Sequence, residues 1–262
     1  MRKEPLPYRP EMPFLRHPTE PLDFATGVAP ERARRIAAAL AQHVLPLLVQ
    51  RDGRLEPLAS GALYWWRGQL ALLTCRHLFE SGVTMGDLAL PLADGRPLAL
   101  AALRPRLLEH PLHDVAVIAL NACAARERLL RCWPALPLAD AHDSGPPCAG
   151  DLFVVAGYPY AQMRRHDGAL HARPVVFFSR PADTPAPPRL HYARLAQRID
   201  GLAVHTPALD GVSGATLWAV RDEGSACVLH PAGVQCAFKH DAYARGEPFA
   251  AARDLLARLA TH

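Results

Sequence analysis

Proline is the residue that most limits this chain. It occurs 26 times in 262 residues, about twice its ~5% average usage. Each proline removes a backbone donor and fixes φ, which argues against long helices. Between the Pro and Gly breaks lie many short apolar runs, the pattern of an all-β sandwich or barrel.

The runs follow a definite order. Residues 1–28 are Pro-rich and aperiodic, and read as an extended arm. Pro30 suits a first helical turn, and Ala33, Ile36, Ala37 and Leu40 then line one apolar face. From His43 the pattern becomes strand-like. Val44–Gln50 ends at the hairpin signal Asp52-Gly53, and Ser60–Trp66 and Gln69–Cys75 flank Arg67-Gly68. Asp87–Leu92, Pro97–Leu103 and Val115–Leu120 complete six strands, and residues 121–133 hold good helix formers. A second strand set runs from Leu152 to Lys239, and Pro248 opens a closing helix with Ala252, Leu255, Leu256 and Leu259 on one face. The expected organisation is an arm and short helix (1–42), a first barrel (43–133), a linker (134–150), a second barrel (151–247) and a C-terminal helix (248–262). Such a layout is all-β and matches a double six-stranded antiparallel β-barrel.

Charge and composition narrow the function classes. The 29 basic and 25 acidic residues are interspersed, giving a net charge of +4. No basic stripe marks a nucleic-acid or anionic-membrane partner. No apolar stretch reaches the ~20 residues of a membrane span. The N-terminus lacks the apolar core of a signal peptide, so a cytoplasmic location is expected. The six cysteines are then read as reduced thiols, mostly core residues. His110 with His113, or His166 with His171, could each offer two metal ligands. Neither pair has a cysteine or carboxylate cluster at zinc-site spacing beside it, so no metal is expected.

Three segments carry chemistry. His77 closes the apolar strand Leu70–Leu73 through Thr74-Cys75-Arg76. Asp114 opens the apolar run Val115–Leu120. Ser213 lies between small residues in Asp210-Gly211-Val212-Ser213-Gly214-Ala215. A serine hydroxyl needs a base to take its proton during attack, and imidazole suits that role near neutral pH. A partly desolvated carboxylate can fix the imidazole tautomer. A Gly-x-Ser turn can aim two backbone N–H groups, here those of Gly211 and Ser213, at a developing oxyanion.

The order His, Asp, Ser resembles that of the chymotrypsin-fold (trypsin-like) serine peptidases, closest to their disulfide-free bacterial types. Thr74-Cys75-Arg76-His77 is similar to the family's Thr-Ala-Ala-His. Asp114-Val115-Ala116-Val117-Ile118 is similar to Asp-Ile-Ala-Leu-Leu. Gly211-Val212-Ser213-Gly214 partly matches Gly-Asp-Ser-Gly. The resemblance spans about 43–245. It implies catalytic roles for His77, Asp114 and Ser213, no cofactor, and a protein or peptide as substrate. Ala232-Gly233-Val234-Gln235 resembles the family strand that pairs with substrate backbone, which implies that Ala232, Gly233 and Val234 contact substrate. His205 and Pro207 then belong to the specificity-pocket wall, with Asp210 as a possible wall charge. Pro207 stands where trypsin-like relatives keep a pocket-floor acid, which does not support cleavage after Arg or Lys. Val212 replaces the acidic or amide residue before the serine, so activation through a new N-terminus is not expected.

Each residue also has a bland reading. His77 and Asp114 could be ordinary strand-end residues, and Ser213 and Asp210 turn residues. Their joint order favours the chemical reading. An α/β-hydrolase reading fails, because Ala215 breaks G-x-S-x-G and the triad order differs. The alternative is an inactive trypsin-like fold that binds protein, motivated by Val212 and Ala215. In a third reading the Pro-rich arm holds an active enzyme latent, and deleting residues 1–28 then raises activity.

Overall fold

The computed structural model describes residues 14–18, 21–23, 28–121, 123–138, 151–182, 188–192, 196–199, 202–205, 207–223, 226–239 and 242–259. Most of the arm and most of the expected linker lie outside these residues.

Local chemistry sets the hairpins. Asp52-Gly53, Arg67-Gly68 and Asp167-Gly168 all have positive φ at both positions. Two such residues make the tight turn whose twist matches paired strands. The first joins Val44–Arg51 to Arg54–Trp66, and the second joins that strand to Gln69–Thr74. The third joins Met163–His166 to Ala169–Ala172, a hairpin not expected from the sequence. Ala226–Lys239 is one strand of 14 residues. A register shift between Leu217 and Trp218 leaves Ala232 as the extra residue, with Pro231 paired to Trp218.

Two curled, mainly antiparallel sheets result. The first holds eight strands, with Arg54–Trp66 and Gln69–Thr74 at its centre. The second holds seven strands, from Arg189–His191 at one edge to Pro21–Asp23 at the other. Each forms a half-barrel, and neither closes on itself among the described residues. Residues 14–16 and 21–23 of the arm are strands, pairing parallel to Ala169–Ala172 and to Val175–Ser179. The helix Pro30–His43 buries Ala33, Ile36, Ala37 and Leu40, and the helix Phe249–Leu259 buries Ala252, Leu255, Leu256 and Leu259. Among the described residues, no helix is long and apolar enough to cross a membrane.

The second sheet separates two cores by strand alternation. Phe153, Val155, Phe177, Leu217 and Ala219 face a smaller core. Their sequence neighbours Val154, Ala156, Phe178, Trp218 and Val220 face the large one, which continues through the first sheet. Successive side chains of a strand point to opposite faces, so an uninterrupted apolar run is what such a buried strand requires. The Tyr64 hydroxyl and Thr216 Oγ1, 2.8 Å apart, join the two halves within this core. Burial pushes the Tyr64 phenol well above its ordinary pKa, and the bond to Thr216 only partly offsets this.

Candidate active site

His77 begins a one-turn helix, His77–Glu80, three residues beyond the end of the strand Gln69–Thr74. Arg76 fixes that turn. Its guanidinium donates to the carbonyls of His110 (2.8 Å) and Pro111 (3.3 Å) and pairs with Glu80. The turn is thereby tied to the segment that carries Asp114, just before the buried strand Ala116–Leu120.

Asp114 meets His77 twice. Oδ1 accepts the His77 backbone N–H at 2.8 Å, and Oδ2 lies 2.6 Å from the ring Nδ1. Partial burial pushes the Asp114 carboxyl up. The side-chain and backbone hydrogen bonds from His77 outweigh this and hold it below the usual carboxylate range. With a carboxylate at Nδ1, that nitrogen carries the proton and Nε2 presents its lone pair. At Nε2 the neighbour is Cys75, whose Sγ is 3.5 Å away. Burial, then the charge of Asp114, raises the Cys75 thiol well above its ordinary value. Cys75 is therefore a thiol that donates to Nε2, and not a thiolate nucleophile.

The Ser213 loop is held from the first half-barrel by Ser60, which is fully buried. Ser60 Oγ donates to the Gly211 carbonyl and accepts from Tyr158 N–H, both at 2.8 Å. Its backbone N–H donates to the Ser213 carbonyl at 2.8 Å, and its own carbonyl accepts from Thr74 Oγ1 at 2.9 Å. Gly211 and Gly214 have φ of 94° and 91°. A Cβ at Gly214 would lie 2.2 Å from both the Ser60 carbonyl oxygen and Thr74 Oγ1. One at Gly211 would strike the Tyr160 ring at 2.4 Å. Both positions demand glycine on two grounds, backbone and space.

The loop leaves particular donors open. Val212, Gly214 and Ala215 N–H donate to Leu209, Gln235 and Val212 carbonyls. Among the described residues, the N–H groups of Gly211 and Ser213 have no acceptor. The Ser213 side chain is partly exposed, and its Oγ donates to the Cys236 carbonyl at 3.4 Å. Among the described residues it makes no hydrogen bond to His77. His77 and Asp114 are thus bonded as a dyad. The serine loop reaches the end of the strand Gln69–Thr74 through Gly214, which lies against Thr74 and Cys75, while Ser213 itself bonds Cys236.

The remaining expected residues are spread more widely. Asp210 is exposed, and its carbonyl accepts from Tyr160 N–H at 2.7 Å. The Pro207 carbonyl accepts from the buried Tyr192 hydroxyl. His205 pairs with Ala196 in a two-stranded sheet, and its side chain lies outside the description. Ala232, Gly233 and Val234 lie within the strand Ala226–Lys239. Gly233 pairs with Leu217 and Pro248, and Val234 with Thr216 and Glu247, so both have ladder partners on either side. The segment beside the serine begins at Gln235. A register irregularity between Gln235 and Ala237 takes Cys236 out of the ladder with Tyr243–Pro248. Burial lifts the Cys236 thiol to about 11.

Three contributors escape sequence reasoning. Ser60 sits in an apolar strand as a small polar residue between Ala59 and Gly61, a weak signal of its network. Tyr160 packs against Gly211, and its hydroxyl donates to the Leu58 carbonyl. Glu247 is buried, 2.7 Å from His113 Nδ1 and within 3.8 Å of Cys236 Sγ. A His113–Glu247 contact therefore bridges the halves beside Asp114. Among the described residues, no group of three or more His, Cys, Asp or Glu is arranged to hold a metal ion. No protein-family model matches the chain, and no curated protein does.

Proposed function

We propose that the chain is a serine endopeptidase of the chymotrypsin-like, double six-stranded barrel type. The observation that carries the reading is an Asp114-oriented imidazole beside a serine loop that keeps two backbone N–H groups open. In this reading Ser213 Oγ turns from the Cys236 carbonyl to His77 Nε2 when substrate binds. Catalytic hydrogen bonds often tighten only in the substrate complex. Ser213 attacks the scissile carbonyl while His77 takes its proton. Asp114 holds the ring and stabilises the imidazolium, and the Gly211 and Ser213 N–H groups receive the oxyanion. His77 then protonates the leaving amine, and water resolves the acyl-enzyme through the same base. The substrate is a protein or peptide, the location cytoplasmic, and no cofactor takes part.

A fluorophosphonate probe tests this directly. The wild type is expected to label, and Ser213→Ala and His77→Ala are expected not to. Equal labelling of wild type and Ser213→Ala would sink the proposal. The second reading, a protein-binding module without turnover, is favoured by the present bonds of Ser213 to Cys236 and of Nε2 to Cys75. It predicts no labelling of any variant.

A further inference from the structure

The short sheet of Met163–His166, Ala169–Ala172 and Phe14–Arg16 carries a cleft on its outer face that peptide hydrolysis does not use. The cleft holds about 490 Å³ and is lined by His17, Pro18, Gln162, Arg164, His171 and Arg173. Strand alternation puts these side chains together. Arg164 pairs directly with His171, and Arg173 N–H donates to the Gln162 carbonyl one step along. Met163, Leu170 and Ala172, between them in sequence, are buried on the other face. The third strand adds His17, whose ring stacks on that of His171 with centroids 5.0 Å apart. Its Nε2 lies 2.8 Å from His171 Nδ1.

Charge here is one-sided. Among the described residues, no carboxylate lines the cleft. Arg164 and Arg173 are exposed, and among the described residues neither guanidinium has a hydrogen-bond or ion-pair partner. Asp167, at the hairpin turn, is engaged by His166 at 3.1 Å. Cations placed across a strand pair repel one another unless an anion joins them. Diagonal cross-strand neighbours stand ~7–8 Å apart at the backbone, a spacing that two linked phosphates can bridge with one guanidinium each. The volume falls within the range of small-molecule sites.

We propose that this cleft binds a small oligo-anion carrying two or more linked phosphates. Arg164 and Arg173 hold the charge, and His17, His171 and Gln162 supply the remaining hydrogen bonds. The proposal is independent of the peptidase reading. Titration calorimetry of the full chain with sodium pyrophosphate and tripolyphosphate tests it, with sulfate and monophosphate as controls. Pyrophosphate should bind more tightly than either control. Each of Arg164→Gln and Arg173→Gln should weaken it about tenfold, as loss of a charge-assisted hydrogen bond does. The double variant should show no heat of binding. Ring signals of His17 and His171 in the wild type should shift on addition of pyrophosphate, a readout that needs no variant. Unmoved ring signals, binding retained by the double variant, or sulfate binding as tightly as pyrophosphate would overturn the proposal.

Discussion

At the scale of single residues, Nε2 of His77 decides what the site can do. Asp114 fixes the proton on Nδ1, which makes Nε2 an acceptor, and the Cys75 thiol is the group that reaches it. In the proposed mechanism Ser213 displaces that thiol before it loses its own proton. Cys75→Ala should therefore raise the rate of fluorophosphonate labelling, by about fivefold if the contact contributes ~1 kcal/mol. An unchanged or slower rate would assign Cys75 to packing alone. Asp114 carries a pH signature of its own. Its carboxyl is held below the usual range in the folded protein, so its stabilising effect is complete at neutral pH. That effect is lost as the pH falls below about 4 and through the lower folded value. Asp114→Asn should melt below wild type at pH 7, with the gap narrowing in acid. A gap that widened in acid would contradict the assignment. His77 and Asp114 are legible in the sequence because each sits at the end of a long apolar run. The Cys75 contact is not, since it depends on a ring orientation.

At the scale of elements, the serine loop is held by close backbone approach. Gly214 lets the loop lie against Ser60 and Thr74, and no side chain fits at its φ. Gly214→Ala should cost more than ~2 kcal/mol, from strain and steric displacement together. It should also abolish labelling, and denaturant titration run beside the probe assay checks both. Stability within ~0.5 kcal/mol of wild type, the usual range for a neutral surface change, would show that the loop has room to spare. Turns at Asp52-Gly53 and Arg67-Gly68 can be read directly, because positive φ at two successive residues selects such pairs. The Asp167-Gly168 hairpin carries the same turn signal. Its strand Met-Arg-Arg-His, however, is polar enough to hide the alternation. In the strand read at 232–235, it is Gln235, followed by Cys236, that bonds the serine loop. Its position depends on two register irregularities that leave no mark in composition.

At the scale of the whole molecule, the halves are not independent, and the arm is part of the reason. Phe14 is buried, with ring centroids 5.8 Å from Trp133 and 6.2 Å from Tyr158. Arg16 lies over Trp133 at 4.3 Å and donates to the Ala41 carbonyl at 2.9 Å. These contacts make the described pieces of the arm structural. Phe14→Ala should cost ~3 kcal/mol or more, lowering Tm by about 10 °C for a chain of this size. A melting curve that matched wild type would return the arm to a purely regulatory role. The strand-rich layout, the two end helices and the division into two sheets are legible from proline spacing and apolar runs. The openness of the sheets is not, because it depends on which edges meet in space.

Ser60 belongs to one half, while Gly211, Ser213 and Tyr158, which it binds, belong to the other. The Ser213 loop is thus held by a residue some 150 positions away in the chain. Neither half can hold a finished site by itself. On the proposed reading, a reactive Ser213 signals that both halves have folded and docked, and a nascent or half-unfolded chain carries no competent nucleophile to turn on its neighbours.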